Sequence, residues 1–391
     1  MPQDTDAYRK LLDPIRFISD DDQAKQPRPG LALCLSGGGY RAVVFHLGTL
    51  WRLNELGWLK KLVRVSSVSG GSITAGVLGL KWKKLAFDQN GHASNLVDEV
   101  IKPVMDFAGH TIDEKSIFGG ILNPFKSIAD EVANAYRKYL FGTGTLQDLP
   151  SDSEGPRFVI NATNVQTKVL WRFSRKFMGD YRVGLVLNPQ TELAIAVGAS
   201  SAFPPVLSPV KLKLDPKQFD LPSAGDLQKP PYTEQAILTD GGVYDNLGLE
   251  TAWKEYDTIL VSDGGGATAD EPHPHTDWAL HSYRILQLLN NEVGSLRKRW
   301  VVGSFAIGLR KGAYWGIRTD IANYKLADAL PAPFANTSVL ADTPTRLKEM
   351  DRSLQQRLVN WGYAVCDAAM RAHVSSGEIS KPKFPFEGGV G

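Results

Sequence analysis

The chain has 391 residues, 43% of them hydrophobic and 22% charged, and a formal net charge of +2. This is the composition of a globular protein with a sizeable core, and so small a net charge argues against nucleic-acid binding. The two cysteines, Cys34 and Cys366, are far apart and exclude a disulfide framework or a cysteine-rich zinc site. We see no secretory signal, and no apolar run reaches the roughly 20 residues that span a bilayer. The composition predicts a soluble, cytoplasmic protein.

Strand and helix patterns alternate after a polar lead-in. We predict a polar N-terminal arm over 1–30 and a single α/β domain over 31–391. The apolar run "LALCLS" reads as a buried strand, followed by "GGG" and by apolar residues at helical spacing. "LVRVSS" and "SITAGVLGL" repeat the same order of strand, small-residue turn and helix. This alternation predicts a mostly parallel sheet with helices on it.

The rest of the chain divides at about residue 265. Two more strands end in glycines, "AILTDGG" and "TILVSDGGG", and complete a motif-bearing core over 31–265. The Pro-rich stretch 208–235 between them is predicted as a long loop or insertion. The C-terminal part, 266–391, is predicted to be mainly helical. In it, apolar residues from Leu347 to Val365 recur at spacings of three and four, which predicts an amphipathic helix that starts near Thr343.

The turn "VSSVSGG" places a serine where a strand becomes a helix. A nucleophilic serine on such a sharp corner needs small neighbours on both sides, as in the G-x-S-x-G elbow. Here Ser69 holds the nucleophile position, Ser67 stands in place of the first glycine, and Gly70 and Gly71 follow. A serine-rich turn without chemistry is the alternative if this motif is taken alone.

A second turn, "SGGGYR", also follows a strand and opens a helix. Consecutive backbone N–H groups of Gly37, Gly38 and Gly39 can converge there on an anion, which predicts an oxyanion hole. Arg41 is placed to steady the loop or to favour an anionic head group. A phosphate-binding loop is the competing use, but no Gly-Lys-Ser/Thr follows.

A carboxylate is the expected base, because no histidine stands in an evident triad context. Asp240, followed by Gly241 and Gly242, ends one strand, and Asp263 ends another in almost the same local sequence. An aspartate needs burial or loss of solvent to serve as a base for a hydroxyl group. The spacing alone leaves both aspartates open.

Together these stretches resemble the patatin-like phospholipase family. The likeness lies in "GGGYR" (37–41), "SVSGG" (67–71), "ASSAFPPV" (199–206) and "DGG" (240–242), and it covers about residues 30–265. It implies a three-layer α/β/α hydrolase that cleaves fatty acyl esters with a Ser69–Asp240 dyad and an oxyanion loop over Gly37–Gly39. The substrate would be a phospholipid or another acyl lipid, with peripheral contact at the membrane surface and no metal or cofactor. The departures from the family pattern are Ser67 in the elbow and Ala42 after the arginine.

Two rival functions remain. One is a non-catalytic lipid- or partner-binding module that has the same fold. The other is a Ser-His-Asp esterase, for which His281 and His373 are the candidate histidines. His46 is interpreted as a packed or capping residue.

Other segments carry weaker signals. The cluster of His273, His275 and His281 lies in a proline-rich stretch and is not predicted to bind a metal. The segments "KWKKL" (81–85) and "SIFGGILNPF" (116–125) suit a lid or a membrane contact, but we favour an ordinary, partly buried loop and helix.

Overall fold

The computed structural model describes residues 27–112, 128–266, 270–375 and 380–391. Its strands are β1 (Arg28–Leu35), β2 (Leu62–Val68), β3 (Arg157–Asn164), β4 (Val169–Phe173), β5 (Phe177–Asp180), β6 (Gly184–Leu187), β7 (Val210–Lys213), β8 (Gln235–Asp240), β9 (Tyr256–Asp263) and β10 (Lys311–Gly316). Its helices are α1 (Gly39–Glu55), α2 (Gly70–Lys81), α3 (Lys102–Phe107), α4 (Ile128–Tyr136), α5 (Leu193–Ser200), α6 (Gly242–Asp245), α7 (Glu250–Trp253), α8 (Trp278–Ala306), α9 (Phe334–Ala341) and α10 (Arg352–His373).

All ten of these strands form one mixed sheet. Strands β10, β9, β1, β2 and β3 are parallel neighbours in that order, and β4, β5 and β6 continue the sheet as an antiparallel meander. Strand β8 pairs antiparallel with both β3 and β7. Strand β10 comes from the C-terminal part of the chain, so that part also extends the sheet.

Alternate residues of the central strands face two different cores. In β1, Leu31, Leu33 and Leu35 pack into the larger core with α1, α2 and α10. Ala32 and Cys34 face the opposite side, where Ala252 and Val301 of α7 and α8 cover the sheet. Both faces are therefore buried, as the continuous apolar sequence of β1 predicted. The predicted three-layer α/β/α architecture is confirmed.

The C-terminal amphipathic helix exists, but its predicted start near Thr343 is wrong. Helix α10 begins at Arg352, where the Asp351 side chain accepts a hydrogen bond from the Leu354 N–H. Before this helix, backbone groups form long-range hydrogen bonds: the Tyr40 N–H donates to the Arg346 carbonyl, and the Met350 N–H donates to the Ala108 carbonyl. A helix through this stretch would have to break those contacts.

Helix α10 lies directly on α1. A Cβ on Gly48 of α1 would come within 2.0 Å of the Val359 carbonyl oxygen, and one on Gly362 of α10 within 1.9 Å of that of Phe45. The two glycines therefore allow the backbones to approach closely, and α10 holds α1, the helix that follows the first glycine turn, against the sheet.

The stretch 208–235 is more ordered than the predicted loop. It contains β7, which pairs with β8 from Val210 to Lys213. Two short 3₁₀ turns follow it, at Pro216–Gln218 and Leu221–Ser223. The segment thus supports β8, the strand that ends at Asp240.

Among the described residues, none of the helices combines the length and the hydropathy that a bilayer crossing requires. Of the two segments considered as a lid, 116–125 lies outside the described residues. In 81–85, Trp82 is buried and packs against Phe87 and Phe158. That segment is an ordinary, partly buried turn, as we favoured.

Candidate active site

Two strand ends meet beside β3. Strand β2 runs parallel to β3 and pairs with it up to Asn161, while β8 runs antiparallel and pairs from Ala162 onward. Strand β4 occupies the other edge of β3 over the same residues, so β2 and β8 share one edge and point toward each other. The residue after β2 is Ser69 and the last residue of β8 is Asp240. The sheet therefore brings these two predicted residues together.

Ser69 has a backbone conformation that few side-chain-bearing residues adopt. Its φ is 51° and its ψ is −122°, at the corner between β2 and α2. Such a strained turn lifts the side chain away from the sheet, as in the nucleophile elbow. The structure describes four serines from 66 to 72, and of these Ser66, Ser67 and Ser72 are fully buried whereas Ser69 is partly exposed.

A hydrogen-bond network below Ser69 holds the corner in place. The Ser200 hydroxyl accepts from the Ser69 N–H (3.0 Å) and donates to the Asn161 carbonyl (2.7 Å). Ser72 lies 2.9 Å from the same hydroxyl and donates to Ser67 (3.0 Å). Ser67, in place of the usual glycine, is therefore part of the network. Ser200 lies in the stretch "ASSAFPPV", but its role was not predicted from the sequence, and neither was that of Asn161.

Glycines at the start of α2 let it approach the first glycine turn. A Cβ on Gly70 would lie 2.4 Å from the Gly39 carbonyl oxygen, and one on Gly71 would lie 2.4 Å from the Leu35 carbonyl oxygen. Gly71 also donates its N–H to the Ser36 carbonyl (3.1 Å). The elbow and the predicted oxyanion loop are thus in direct contact.

The oxyanion loop itself is a left-handed turn that leads into α1. Gly38 and Gly39 have φ values of 143° and 59°, which glycine adopts without strain. Gly37 already donates its N–H to the Asn246 carbonyl (3.0 Å). The N–H groups of Gly38 and Gly39 have no acceptor among the described residues, and they stand at the positive end of α1.

Arg41 steadies the loop from behind. Its guanidinium group is buried and donates to the carbonyls of Gly264 (3.1 Å) and Thr343 and to the hydroxyl of Thr345 (2.8 Å). Burial lowers its pKa to about 10. Of the two roles considered from sequence, support of the loop is the one that these contacts serve.

Asp240 is buried beside Ser69, and no cation of the described residues pairs with it. One oxygen, Oδ1, accepts from the Gly242 N–H (2.7 Å), and Oδ2 has no hydrogen-bond partner of ordinary geometry among the described residues. Burial raises the pKa of Asp240 to about 7, although the Gly242 N–H and the nearby Ser69 hydroxyl act to lower it. A Cβ on Gly241 would lie 2.3 Å from the Asn161 carbonyl oxygen, so this turn also needs its glycine.

Asp263, the rival carboxylate, has a different environment. It ends β9 and is also buried, which by itself raises its pKa. Lys298 of α8 lies 2.9 Å from its Oδ2, Tyr314 donates to the same oxygen (2.7 Å), and Gly265 donates to Oδ1 (2.9 Å). These partners outweigh burial and hold the pKa of Asp263 below its ordinary value. Asp263 is therefore the weaker base.

Among the described residues, neither candidate histidine forms a hydrogen bond with Ser69. His281 and its neighbours His273 and His275 are exposed around the start of α8. His373 lines a cavity with Gly30 and Leu31, at the opposite end of the sheet from Ser69. His46 is fully buried in α1, which agrees with its interpretation as a packed residue. Within the part of the chain that the structure describes, no three His, Cys, Asp or Glu side chains are grouped to hold a metal ion.

The fold and these turns define a class: a three-layer α/β/α protein with a serine elbow that faces a buried carboxylate. The family model of the patatin-like phospholipases matches residues 33–253, more than half of the chain. The chain belongs to the patatin-like phospholipase family. No curated protein matches the chain.

Three solved structures are among those to which the chain is similar. Human GIVD cytosolic phospholipase A2 is 13% identical, with a TM-score of 0.49, over 88% of this chain and 62% of that one. VipD from Legionella pneumophila is 16% identical, with a TM-score of 0.38, over 90% and 68% of the two chains. The type III effector ExoU is 12% identical, with a TM-score of 0.32, over 89% and 54%. The present chain thus spans about three fifths of the human enzyme's length.

Proposed function

We propose that the protein is a phospholipase A-type lipid acyl hydrolase that uses a Ser69–Asp240 dyad. One observation carries the proposal: a buried carboxylate, which has no counter-cation in the described part of the chain, lies next to a strained, partly exposed serine. A carboxylate with a pKa near neutrality accepts a proton far better than an ordinary aspartate does. The Ser69 side chain is close enough to Asp240 to lower the pKa of its carboxyl group, as a proton transfer between the two side chains requires.

In this proposal Ser69 attacks the acyl ester carbonyl and passes its proton to Asp240. The developing negative charge on the carbonyl oxygen is stabilised by the N–H groups of Gly38 and Gly39 and by the positive end of α1. The protonated Asp240 then gives its proton to the leaving alcohol, and an acyl-enzyme forms on Ser69. Asp240 then takes a proton from a water molecule whose oxygen attacks the acyl carbon. The bond from that carbon to Ser69 Oγ breaks, Asp240 returns the proton to Ser69 Oγ, and the fatty acid leaves.

We infer a role for Gly37 that differs from the one expected from sequence. Its N–H is engaged by Asn246, so it holds the "DGGVYDN" segment against the loop and leaves stabilisation of the oxyanion to Gly38 and Gly39. Asn246, four residues after Gly242, was not predicted from the sequence.

Mapping of the nucleophile tests this proposal. A fluorophosphonate probe is expected to label Ser69 and to miss Ser66, Ser67 and Ser72, whose hydroxyl groups are buried and hydrogen-bonded. Ser69→Ala and Asp240→Asn should each lower fatty-acid release from phospholipid vesicles by several orders of magnitude. Labelling at another of the four serines would refute the choice of nucleophile.

The same experiment separates the rival functions. If Asp263→Asn abolishes turnover in a folded protein and Asp240→Asn does not, the wrong carboxylate has been assigned. Loss of turnover on substitution of His281 or His373 would favour a Ser-His-Asp esterase. Vesicle binding without labelling or fatty-acid release would favour the non-catalytic module.

A further inference from the structure

Ser36, at the end of β1, is a fully buried serine directly before the glycine loop. Its hydroxyl accepts a hydrogen bond from the Gly264 N–H (2.8 Å) and donates one to the carbonyl of Gly37 (3.0 Å). The hydroxyl hydrogen is therefore directed at the Gly37 carbonyl.

This contact fixes the orientation of an oxyanion donor. In a trans peptide unit the C=O and the N–H point in opposite directions within one plane. A Gly37 carbonyl that is held by Ser36 thus sets the direction of the Gly38 N–H, on the other side of the loop. The free N–H of Gly38 and the engaged carbonyl of Gly37 belong to the same peptide unit.

The preceding peptide unit is fixed as well. The Ser36 carbonyl accepts from His46 Nε2 (3.0 Å) and from the Gly71 N–H (3.1 Å). Because a carbonyl can only accept, Nε2 carries the hydrogen and Nδ1 is an acceptor. Burial lowers the pKa of His46 to about 4, so the ring is neutral at physiological pH.

Three further groups continue the chain of hydrogen bonds in one direction. Trp315 donates to the Thr49 hydroxyl (3.1 Å), which lies 3.0 Å from the Ser262 hydroxyl. The Ser262 hydroxyl lies 2.9 Å from His46 Nδ1 and donates to it. Each of these two hydroxyl groups accepts one hydrogen bond and donates one. The same series of hydrogen bonds therefore sets the tautomer of His46 and the hydrogen bond from its Nε2 to the Ser36 carbonyl.

We propose that Ser36 and His46 are positioning residues for the reaction: together they fix two successive peptide units so that the Gly38 N–H is oriented in advance toward the oxyanion. Neither side chain is proposed to touch the substrate. The inference rests on the proposed function, because it assigns the aim of a donor in that mechanism. Removal of an oxyanion donor lowers kcat by about 10²–10³-fold, so misalignment of one should lower it by about 10–10²-fold.

Ser36→Ala tests the first contact, with Ser174→Ala as a matched control. Ser174, in the turn between β4 and β5, is also fully buried, and its hydroxyl likewise donates to a carbonyl and accepts from an N–H, both of Phe177 at the start of β5. Steady-state kinetics on a soluble nitrophenyl ester would be combined with inhibition by a trifluoromethyl ketone, whose adduct with Ser69 carries an oxyanion.

For Ser36→Ala we expect kcat to fall by about 10–10²-fold, KM to change by less than about two-fold, and the inhibition constant of the ketone to rise in parallel with the fall in kcat. Ser174→Ala should lose comparable stability and keep all three constants. An unchanged kcat in folded Ser36→Ala, or a lower kcat with unchanged ketone affinity, would overturn the inference.

A pair of His46 variants tests the second contact if Ser36→Ala does not fold. His46→Gln keeps an N–H group that can donate to the Ser36 carbonyl, whereas His46→Phe removes it. We expect the glutamine variant to retain at least about ten-fold more kcat and tighter ketone binding than the phenylalanine variant. Equal kinetic constants in the two folded variants would overturn the inference.

The failure of the proposed function gives a different result. If the wild-type protein hydrolyses no ester, or if Ser69→Ala keeps the activity, the dyad mechanism and this inference fall together. If the wild-type activity depends on Ser69 while the Ser36 and His46 variants match the wild type, the inference alone is wrong.

Discussion

Replacement of Asp240 by asparagine should change how the stability of the protein depends on pH. The pKa of this carboxyl group is raised from 3.8 in the unfolded chain to about 7 in the folded one, chiefly by burial. Between these values the folded state binds more protons than the unfolded state, so stability falls as pH rises through this window and is level above about pH 7. A shift of about three pKa units corresponds to about 4 kcal/mol.

Asparagine cannot ionise, and it has nearly the shape of the protonated aspartate. Its Oδ1 can still accept from the Gly242 N–H, while its Nδ2 replaces an oxygen that has no partner among the described residues. A buried donor without a partner costs about 1–3 kcal/mol, but that cost does not depend on pH. The pH-dependent part of the difference between the two proteins therefore isolates the Asp240 carboxyl group.

Urea unfolding of both proteins at several pH values measures this difference. The difference in the free energy of unfolding between Asp240→Asn and the wild type should shift by about 3 kcal/mol in favour of the variant from about pH 5 to about pH 8.5, because only the wild type loses the contribution of Asp240 over this range. Asp263→Asn is the control without this pH dependence. It removes a carboxylate that Lys298 and Tyr314 stabilise, so it should be destabilised at neutral pH. Its difference from the wild type should stay flat over the same range, because the lowered pKa of Asp263 confines its pH-dependent contribution to more acidic pH. A flat difference for Asp240→Asn across the window would show that this carboxyl has an ordinary pKa.

Three further predictions concern activity and packing. The kcat/KM for a soluble ester should rise with pH through an apparent pKa of about 7, because Asp240 must be ionised to accept the proton. Lys298→Ala, which removes the cation beside Asp263, should leave that inflection in place. A profile without an inflection near neutrality would contradict the assignment of Asp240. Gly70→Ala should lower kcat by about 10²-fold or more, because its Cβ would lie 2.4 Å from the Gly39 carbonyl oxygen. The control Gly294→Ala adds a Cβ in open space on α8, so it should keep kcat and add about 0.5–1 kcal/mol of stability in urea unfolding. Hydrolysis of a soluble ester should survive excess chelator, since neither Ser69 nor Asp240 needs a metal for its role; loss of activity that one metal restores would contradict the proposed mechanism.

The elbow could be predicted from sequence because its requirements are local. A buried strand, small residues and the start of a helix lie within a few positions of Ser69, and each has a recognisable pattern. The glycine loop before α1 is local in the same sense. The strands and the helices next to these two turns were therefore placed from sequence, and the structure has them there.

The choice between Asp240 and Asp263 could not be made from spacing alone. Both aspartates end apolar strands and precede paired glycines, so their local patterns are equivalent. What separates them is long-range: β8 runs against β3 and points at β2, and Lys298 approaches Asp263 from a helix later in the chain. The start of α10 was misjudged for a related reason, since backbone contacts made by residues 346 and 350 outweigh the local helical pattern.

The reversal of one strand explains how the proposed Ser69–Asp240 dyad could form without a histidine. Had β8 run parallel to β2, its carboxyl end could not have met the end of β2 at the border between Asn161 and Ala162 of β3. The antiparallel pairing places a short aspartate side chain on a rigid strand end, next to a serine on an equally rigid corner, so no longer side chain is needed to bridge them. The same arrangement buries the carboxylate away from any described cation, and this burial raises its pKa. Asp263, with the same local sequence and the same depth of burial, receives Lys298 and has a lowered pKa instead. The chain thus contains both outcomes of one local motif, and the direction of a strand and the presence of one lysine decide which carboxylate is suited to act as the base.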